Sequence, residues 1–220
     1  LHKIGFENAK RIALNVSVLK LMRITKFPVN FCCEQLWQHS LGVAVASSEL
    51  AEISNYENPD QAYTCGLIHD IGKLVKIKYS HISFAKEIAS AHRKKIDLCD
   101  VEKLRNLLRH DFMGHLMMKF WRMPETLALT VKWHHTVNRE EREGVESTDL
   151  HKLIDIVYFA NIIINKLKIG YSGHMIVKQL SPQFLRSFGM DEASLIECES
   201  NIREKYEQSC PSLLILPSEK

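Results

Sequence analysis

An imidazole and a carboxylate stand side by side among apolar residues in the segment GLIHDIGKL, as His69 and Asp70. If this segment is a helix, its leucines and isoleucines would bury most of the surface around these two residues, and buried polar groups need partners. Adjacent side chains on a helix lie about 100° apart, so both can lean towards one point against a neighbouring helix. A divalent metal at that point would satisfy both groups.

Further histidines give this interpretation weight. His39, in LWQHSLGVA, is a candidate third ligand, and mixed nitrogen and oxygen ligation suits Fe, Mn, Zn or Ni rather than Ca. His110 opens HDFMGHLMMKFWRMPE, and His134 and His135 close TVKWHH. A single histidine is more often an ordinary core or surface residue, so only the co-occurrence of these favours a metal centre. The others are interpreted as ordinary residues: His81, His92, His115, His151 and His174.

The elements that must position these residues are helical. Apolar residues recur at three- and four-residue spacing, and alternating runs typical of strands are hard to find, so we predict an all-α protein. Asp100 and Asp149 are candidate N-caps. The tryptophans Trp37, Trp121 and Trp133 and the methionines of HLMMKFWRM are predicted to be core packing, and the charged stretch 138–149 a solvated loop without function. The predicted helices span about 8–22, 32–53, 61–77, 81–94, 100–122, 124–135, 149–167 and 191–208.

Composition excludes several classes of protein. The chain has 220 residues, 45% hydrophobic and 25% charged, which suits one good-sized core or two small ones. Its 29 Lys and Arg nearly balance 26 Asp and Glu, so we expect no nucleic-acid partner. Neither a membrane-spanning run nor a secretory signal is recognisable, which favours a cytoplasmic protein with no membrane partner. The cysteines include no CxxC pair and are expected to be reduced thiols: Cys32, Cys33, Cys65, Cys99, Cys198 and Cys210.

The order and spacing of these motifs resemble the HDOD domain, the output-type branch of the HD superfamily. The resemblance covers about residues 5–170 and implies a multi-helix bundle over 1–170, with 171–220 as a helical appendage packed on the same domain. HDOD domains generally have another helical segment before the stretch that NAKRIALNVSVL resembles, so we expect a domain that is either truncated at its N-terminus or divergent. The motifs are WQHS, GLIHDIGKLV thirty residues later, His110 with Gly114, Trp121 and Pro124, and the pair His134–His135.

The resemblance also implies a ligand set. In HD phosphohydrolases it assigns His39, His69 and Asp70 to a first metal completed by a late-helix aspartate, and in HD-GYP relatives the positions of His110, His134 and His135 hold a second metal. This chain departs from both patterns, because Asn161 stands at the position of the last aspartate and WHHTVNREEREG replaces the GYP motif. Asp155 lies six residues earlier, about 240° around the helix, so we expect it to face elsewhere. Neutral asparagine is a poorer ligand, which favours a degenerate site.

Three functions stay open. The first is a bacterial signalling or regulatory module that acts through protein contacts, with response regulators or cyclic-dinucleotide enzymes as the partners the family implies. The alternative is a metal-dependent phosphohydrolase acting on a nucleotide or cyclic dinucleotide, in which Asp70 would bind metal or orient water and Lys73 would offset phosphate charge. In the third the cluster is a hydrogen-bond network without metal, and Lys73 stabilises a nearby helix end. We favour the first; oligomeric state stays open.

Overall fold

The computed structural model describes residues 6–22, 27–28, 31–105, 107–174 and 176–209, so Cys210 lies outside it. The described residues form α-helices and one short 3-10 turn, with no strand among them, and the all-α prediction is confirmed. The helices are α1 (Phe6–Met22), α2 (Cys33–Ile53), α3 (Pro59–Ile68), α4 (Ile71–Tyr79), α5 (His81–Lys94), α6 (Leu98–Leu104), α7 (His110–Phe120), α8 (Glu125–Trp133), α9 (Thr148–Lys166), α10 (Pro182–Ser187) and α11 (Glu192–Ser209). None of these described helices is long and apolar enough to cross a membrane.

Helices α2, α3 and α9 form the centre of the bundle. The small residues of α2 permit this, because a Cβ on Gly42 would lie 3.1 Å from side-chain atoms of Ile164 and Ile169. Helix α3 approaches the other side of α2 even more closely, since a Cβ on Gly66 would lie 2.7 Å from the carbonyl oxygen of Val43. His39, on α2, is therefore held deep in the core with 0% of its surface exposed.

Two of the predicted helices are interrupted. The predicted helix 61–77 ends at Ile68 and restarts at Ile71, because Asp70 (φ −96°, ψ 12°) leaves the helical conformation. The predicted helix 100–122 is likewise two helices, α6 and α7. The predicted N-caps are also wrong: Asp97 and Ser147 hold those positions, and Asp100 and Asp149 lie in the first turns, where a carboxylate is favoured by the helix dipole. Each of the two helix breaks lies at a candidate ligand, the first at Asp70 and the second directly before His110.

Helices α4 and α7 touch through their backbones. A Cβ on Gly72 would lie 1.7 Å from the carbonyl oxygen of His110 and 2.6 Å from the amide nitrogen of Gly114. A Cβ on Gly114 would in turn lie 2.6 Å from a methyl of Val131 on α8 and 3.1 Å from the amide nitrogen of Gly72. These glycines bring the start of α4 and the start of α7 together, and with them the candidate ligands Asp70 and His110.

A connection that we call the strap (residues 169–174 and 176–180) runs from α9 towards α10. Gly170 (φ +64°) lies against α2, where a Cβ would come within 2.3 Å of the carbonyl oxygen of Gln35. The amide of Tyr171 donates to the same carbonyl at 3.0 Å. Gly173 (φ +95°) packs on Ile88 of α5. Beyond the strap, α11 buries Ile202 in the main core; the division of the chain at residue 170 stays a prediction.

Two predictions about side chains need correction. Trp37 is buried as expected, but Trp121 is 39% exposed, because it lies at the end of α7 beside an open groove. The charged stretch 138–149 is mostly exposed, yet it also has a buried anchor. Arg142 is 2% exposed and donates to Asp155 at 2.5 Å and to the carbonyl oxygen of Thr136 at 2.7 Å, so it ties this loop to α9.

Candidate metal centre

Asp70 lies at the point where the candidate ligands meet. Its Oδ2 accepts a hydrogen bond from Lys73 Nζ at 2.6 Å and lies 3.3 Å from His69 Nε2 and 3.8 Å from His39 Nε2. These side chains come from α2, from the α3–α4 break and from α4. Together His39, His69 and Asp70 place one ligand atom each within 4.8 Å of one another, as a metal-binding group would.

The other carboxylate oxygen faces a second group of histidines. Asp70 Oδ1 lies 3.4 Å from His110 Nε2 and 3.6 Å from His134 Nε2, and His110 Nε2 lies 3.0 Å from His135 Nε2. Asp70, His110, His134 and His135 thus form a second group of the same compactness. One carboxylate facing two ligand groups has the arrangement of a bridging ligand, and all six of the predicted side chains converge here.

Hydrogen bonds fix the direction of three of these rings. His69 Nδ1 donates to the carbonyl oxygen of Gly66, and His134 Nδ1 donates to that of Val131, both at 2.7 Å. His110 Nδ1 lies 2.9 Å from Glu102 Oε2. In each case Nε2 is left pointing at Asp70, and such outer partners are what orient histidine ligands in metal sites.

Several inward-facing atoms have no hydrogen-bond partner among the described residues. They are Nε2 of His39, His69 and His134 and Oδ1 of Asp70, all fully buried. Buried polar atoms in native proteins are nearly always satisfied, by protein, by water or by an ion. Imidazole and carboxylate together suit Fe, Mn, Zn or Ni, so the residues present fit a divalent metal.

The electrostatics of the centre favour ligation at most positions. Burial lowers the pKa of His134 to about 4 and that of His39 well below its ordinary value, which keeps these rings neutral with a free lone pair. Burial also opposes ionisation of Asp70, but the neighbouring His69 ring and the Lys73 ammonium hold the pKa of Asp70 well below the usual range. His110 differs, because Glu102 outweighs burial and raises the His110 pKa to about 9, so a metal must displace a proton there.

Lys73 does not occupy the position expected of it. It lies in the first turn of α4, where the helix dipole disfavours a cation, and its side chain is fully buried. The Asp70 carboxylate compensates, at 2.6 Å. The dipole interpretation was wrong because the predicted continuous helix 61–77 placed Lys73 near a C-terminus.

Asn161 and Asp155 lie outside these ligand groups. Asn161 Oδ1 accepts from Asn165 Nδ2 at 2.9 Å, and Asn161 lines a polar cavity of about 20 Å³ beside His135. Asp155 instead binds Arg139 and Arg142 on the other side of α9, as its helical position predicts, so it does not substitute for the missing aspartate.

Sequence reasoning missed the contribution of the strap. His174 was interpreted as an ordinary residue, yet its side chain is 4% exposed, its Nε2 lies 3.3 Å from Lys73 Nζ and its Nδ1 lies 3.3 Å from Asp97 Oδ1. The flanking Gly170 and Gly173 were the available signal, since each permits a close backbone approach. Glu102 was missed too, because a charged residue in a short helix carries no motif.

Comparison with known proteins places this architecture in a family. The model of the HDOD domain matches residues 1–137. An uncharacterised protein of Treponema pallidum (strain Nichols) is 25% identical over 141 residues, or 61% of this chain and 25% of that protein. The chain therefore spans about a quarter of the length of this curated relative.

Solved structures share the fold. An HDOD domain protein of unknown function from Geobacter sulfurreducens superposes with a TM-score of 0.72 at 24% identity, covering 95% of this chain and 69% of that one. A protein provisionally named a phosphohydrolase, from Shewanella amazonensis, gives 0.67 at 18% identity over 92% and 71%. The response regulator MmoQ of Methylococcus capsulatus gives 0.53 at 21% identity over 77% and 62%. With the HDOD match over more than half of its length, this chain belongs to the HDOD family.

Proposed function

We propose that this chain is a signalling module that acts through protein contacts and that its buried centre holds a divalent metal in a structural, non-catalytic role. The burial of the centre carries this proposal. His39, His69 and Lys73 are 0% exposed and Asp70 is 2% exposed. The polar cavity beside His135 measures about 20 Å³, whereas small-molecule sites typically measure about 300–1,000 Å³.

The outer surface supports the contact role. An apolar groove of about 460 Å³ opens between α4 and α7, and Lys78 lines it. Exposed Arg122 flanks its aromatic end along the chain, next to Lys119, which pairs with Glu125 at 3.4 Å. We propose an acidic amphipathic helix of a partner protein as its occupant, because such a helix would complement both the apolar floor and the basic edge. The groove is lined by Leu21, Ile71, Leu74, Val75, Ile77, Lys78, Tyr79, Met113, Leu116, Met117, Phe120 and Trp121.

A phosphohydrolase is the second candidate, favoured by the ammonium of Lys73 beside Asp70. In that case His39, His69 and Asp70 would hold a metal that supplies Lewis-acid chemistry, and Lys73 would offset charge on a bound phosphate. Substrate could reach these groups only if the strap moved away from His135.

The test combines metal analysis with a turnover assay. Protein purified without a metal-affinity column is analysed by ICP mass spectrometry and assayed with Mn²⁺ on nucleotides and cyclic dinucleotides, beside His69→Ala/Asp70→Ala. We expect near-stoichiometric metal in the wild type, and turnover by neither protein. A wild-type protein that is folded but contains no metal would contradict the proposal that the centre holds a divalent ion. Turnover lost in the double variant would establish the second candidate instead.

A further inference from the structure

One cluster of potential ligands extends beyond the HD motifs. Cys99 Sγ and one ring nitrogen each of His110, His135 and His174 all lie within 4.8 Å of one another. Cys99 is on α6 and is 3% exposed, and His174 comes from the strap, beyond the residues 1–137 that match the family model. The three histidines therefore come from three separate parts of the chain, α7, the end of α8 and the strap.

Two of these rings are held by carboxylates. Glu102 Oε2 lies 2.9 Å from His110 Nδ1, and Asp97 Oδ1 lies 3.3 Å from His174 Nδ1. Each contact leaves Nε2 free of the carboxylate, and a carboxylate behind a histidine is the usual support of a zinc ligand. In His174 this Nε2 also lies 3.3 Å from Lys73 Nζ, so zinc would displace that contact. The 3.0 Å separation of His110 Nε2 and His135 Nε2 brings a third ring nitrogen to the same point.

This cluster shares His110 and His135 with the group around Asp70, and each inward nitrogen can ligate only one ion. The ligand chemistry favours the cluster with Cys99. Asp70 Oδ2 already accepts from Lys73 at 2.6 Å, which leaves only Oδ1 to face these histidines. A thiolate with imidazoles is a ligand set that structural zinc sites use in tetrahedral coordination.

We infer that Cys99, His110, His135 and His174 form a tetrahedral zinc site in which the strap supplies the fourth ligand. The inference rests on the proposed function, because both place metal in the same buried centre. Zinc binding displaces the thiol proton of Cys99 and the Nε2 proton of His110 to solvent. The Cys99 thiolate with the carboxylates of Glu102 and Asp97 then offsets the divalent charge, while Lys73 keeps its ion pair with Asp70. The metal would fasten the strap to α6, α7 and α8.

Cobalt(II) substitution tests this site directly, because cobalt bound by a thiolate gives a near-ultraviolet charge-transfer band that nitrogen and oxygen ligands do not give. The whole chain is stripped with chelator, loaded with Co²⁺ and compared with Cys99→Ser, Cys99→Ala and His174→Ala. Cys198→Ser is the matched control, because Cys198 is equally buried but lies on α11. Circular dichroism reports folding, and Cys99→Ala avoids a buried hydroxyl.

We expect the band in the wild type and in Cys198→Ser, its loss in both Cys99 variants, and at least tenfold weaker zinc binding in His174→Ala. His69→Ala/Asp70→Ala should keep the band, since it leaves the four ligands intact. Cobalt that binds without giving the band would overturn this site and leave the proposed metal centre standing. So would a band and a zinc affinity that stay the same in the Cys99 and His174 variants. A wild type that binds no metal would overturn both.

Discussion

Helices α4 and α7 have two faces of opposite character. The inner face carries buried charged and polar residues, among them Asp70, Lys73 and His110, at 2% exposure or less. The outer face carries large apolar residues in the open, with Tyr79 at 73% exposure and Phe120 at 84%. An ordinary amphipathic helix buries its apolar face, and these helices do bury Ile71, Ile77 and Met118, but they bury charged groups beside them. The difference indicates that neither face is built for stability alone, since buried charge and exposed apolar surface both cost free energy unless something binds there.

The two faces are coupled by the backbone contact between the helices. Gly72 and Gly114 set the spacing of α4 and α7, and that spacing fixes both the distance from Asp70 to His110 and the width of the groove. A change in the spacing should therefore alter both faces together, whereas a change on one face should leave the other intact.

The largest expected effect comes from Gly72→Ala. The new methyl would lie 1.7 Å from the carbonyl oxygen of His110, and backbone atoms cannot yield as a flexible side chain does. We expect a loss of about 3 kcal/mol or more in the free energy of unfolding. Urea denaturation measures this loss of stability, and the metal content of the same variant is measured separately. Gly189→Asn is the control, since Gly189 (φ +68°) has open space around it and asparagine tolerates that conformation. Equal midpoints for Gly72→Ala and the wild type would contradict the close approach.

Chelation should act on the inner face alone. A ligand present at 100 to 1,000 times its Kd stabilises a fold by about 3–4 kcal/mol, so EDTA should lower the melting temperature of the wild type. His110→Leu removes a ligand atom common to the group around Asp70 and the cluster with Cys99, so it should melt at a temperature that EDTA does not change. His115→Leu is the matched control, because His115 binds the carbonyl oxygen of Ala128 outside the ligand groups and should keep the EDTA response. If EDTA left the melting temperature of the wild type unchanged, the inner face would be a hydrogen-bond network without metal.

A smaller effect concerns the buried pair Glu102 and His110. Interaction with His110 and Lys76 outweighs burial and lowers the Glu102 pKa from 4.5 to about 2, so its stabilisation is complete above about pH 4.5 and is lost as pH falls towards 2. The His110 pKa rises from 6.5 to about 9, so its contribution is complete below about pH 6.5 and is lost as pH rises towards 9. In EDTA, the stability difference between wild type and Glu102→Gln should peak between about pH 4.5 and 6.5. A difference that is flat with pH from 2 to 9 would exclude this ion pair.

The sequence predicted the inner face far better than the outer one. His39, His69 and Asp70 were identified because they occur together with the other histidines in the order and spacing of HDOD motifs, and the structure brings them together with His110, His134 and His135. The helix breaks beside them were not predicted, because the apolar periodicity of 61–77 continues through Asp70. His174 was missed because its place in the centre depends on the path of the strap, which no local pattern encodes.

The outer face was misread for a related reason. Apolar residues at helical spacing predict packing, and the periodicity of HLMMKFWRM does not say whether another element covers it. Met118 is 2% exposed and belongs to the core, whereas Trp121 and Phe120 lie in the open. Helical periodicity identifies an apolar face, but the tertiary arrangement decides whether that face becomes core or groove.

The smallest expected effect on stability separates these two cases. Phe120→Ser removes a side chain that is 84% exposed, so the free energy of unfolding should change by no more than about 0.5 kcal/mol, whereas Met118→Ser should cost about 2–5 kcal/mol. Urea midpoints of both variants measure this, and the fluorescence of an apolar dye bound to the native protein should fall in Phe120→Ser. If Phe120→Ser were as destabilising as Met118→Ser, Phe120 would be part of the core in solution and the groove would be closed. If stability holds while dye binding falls, the outer face is a binding surface that the fold does not need for its own stability.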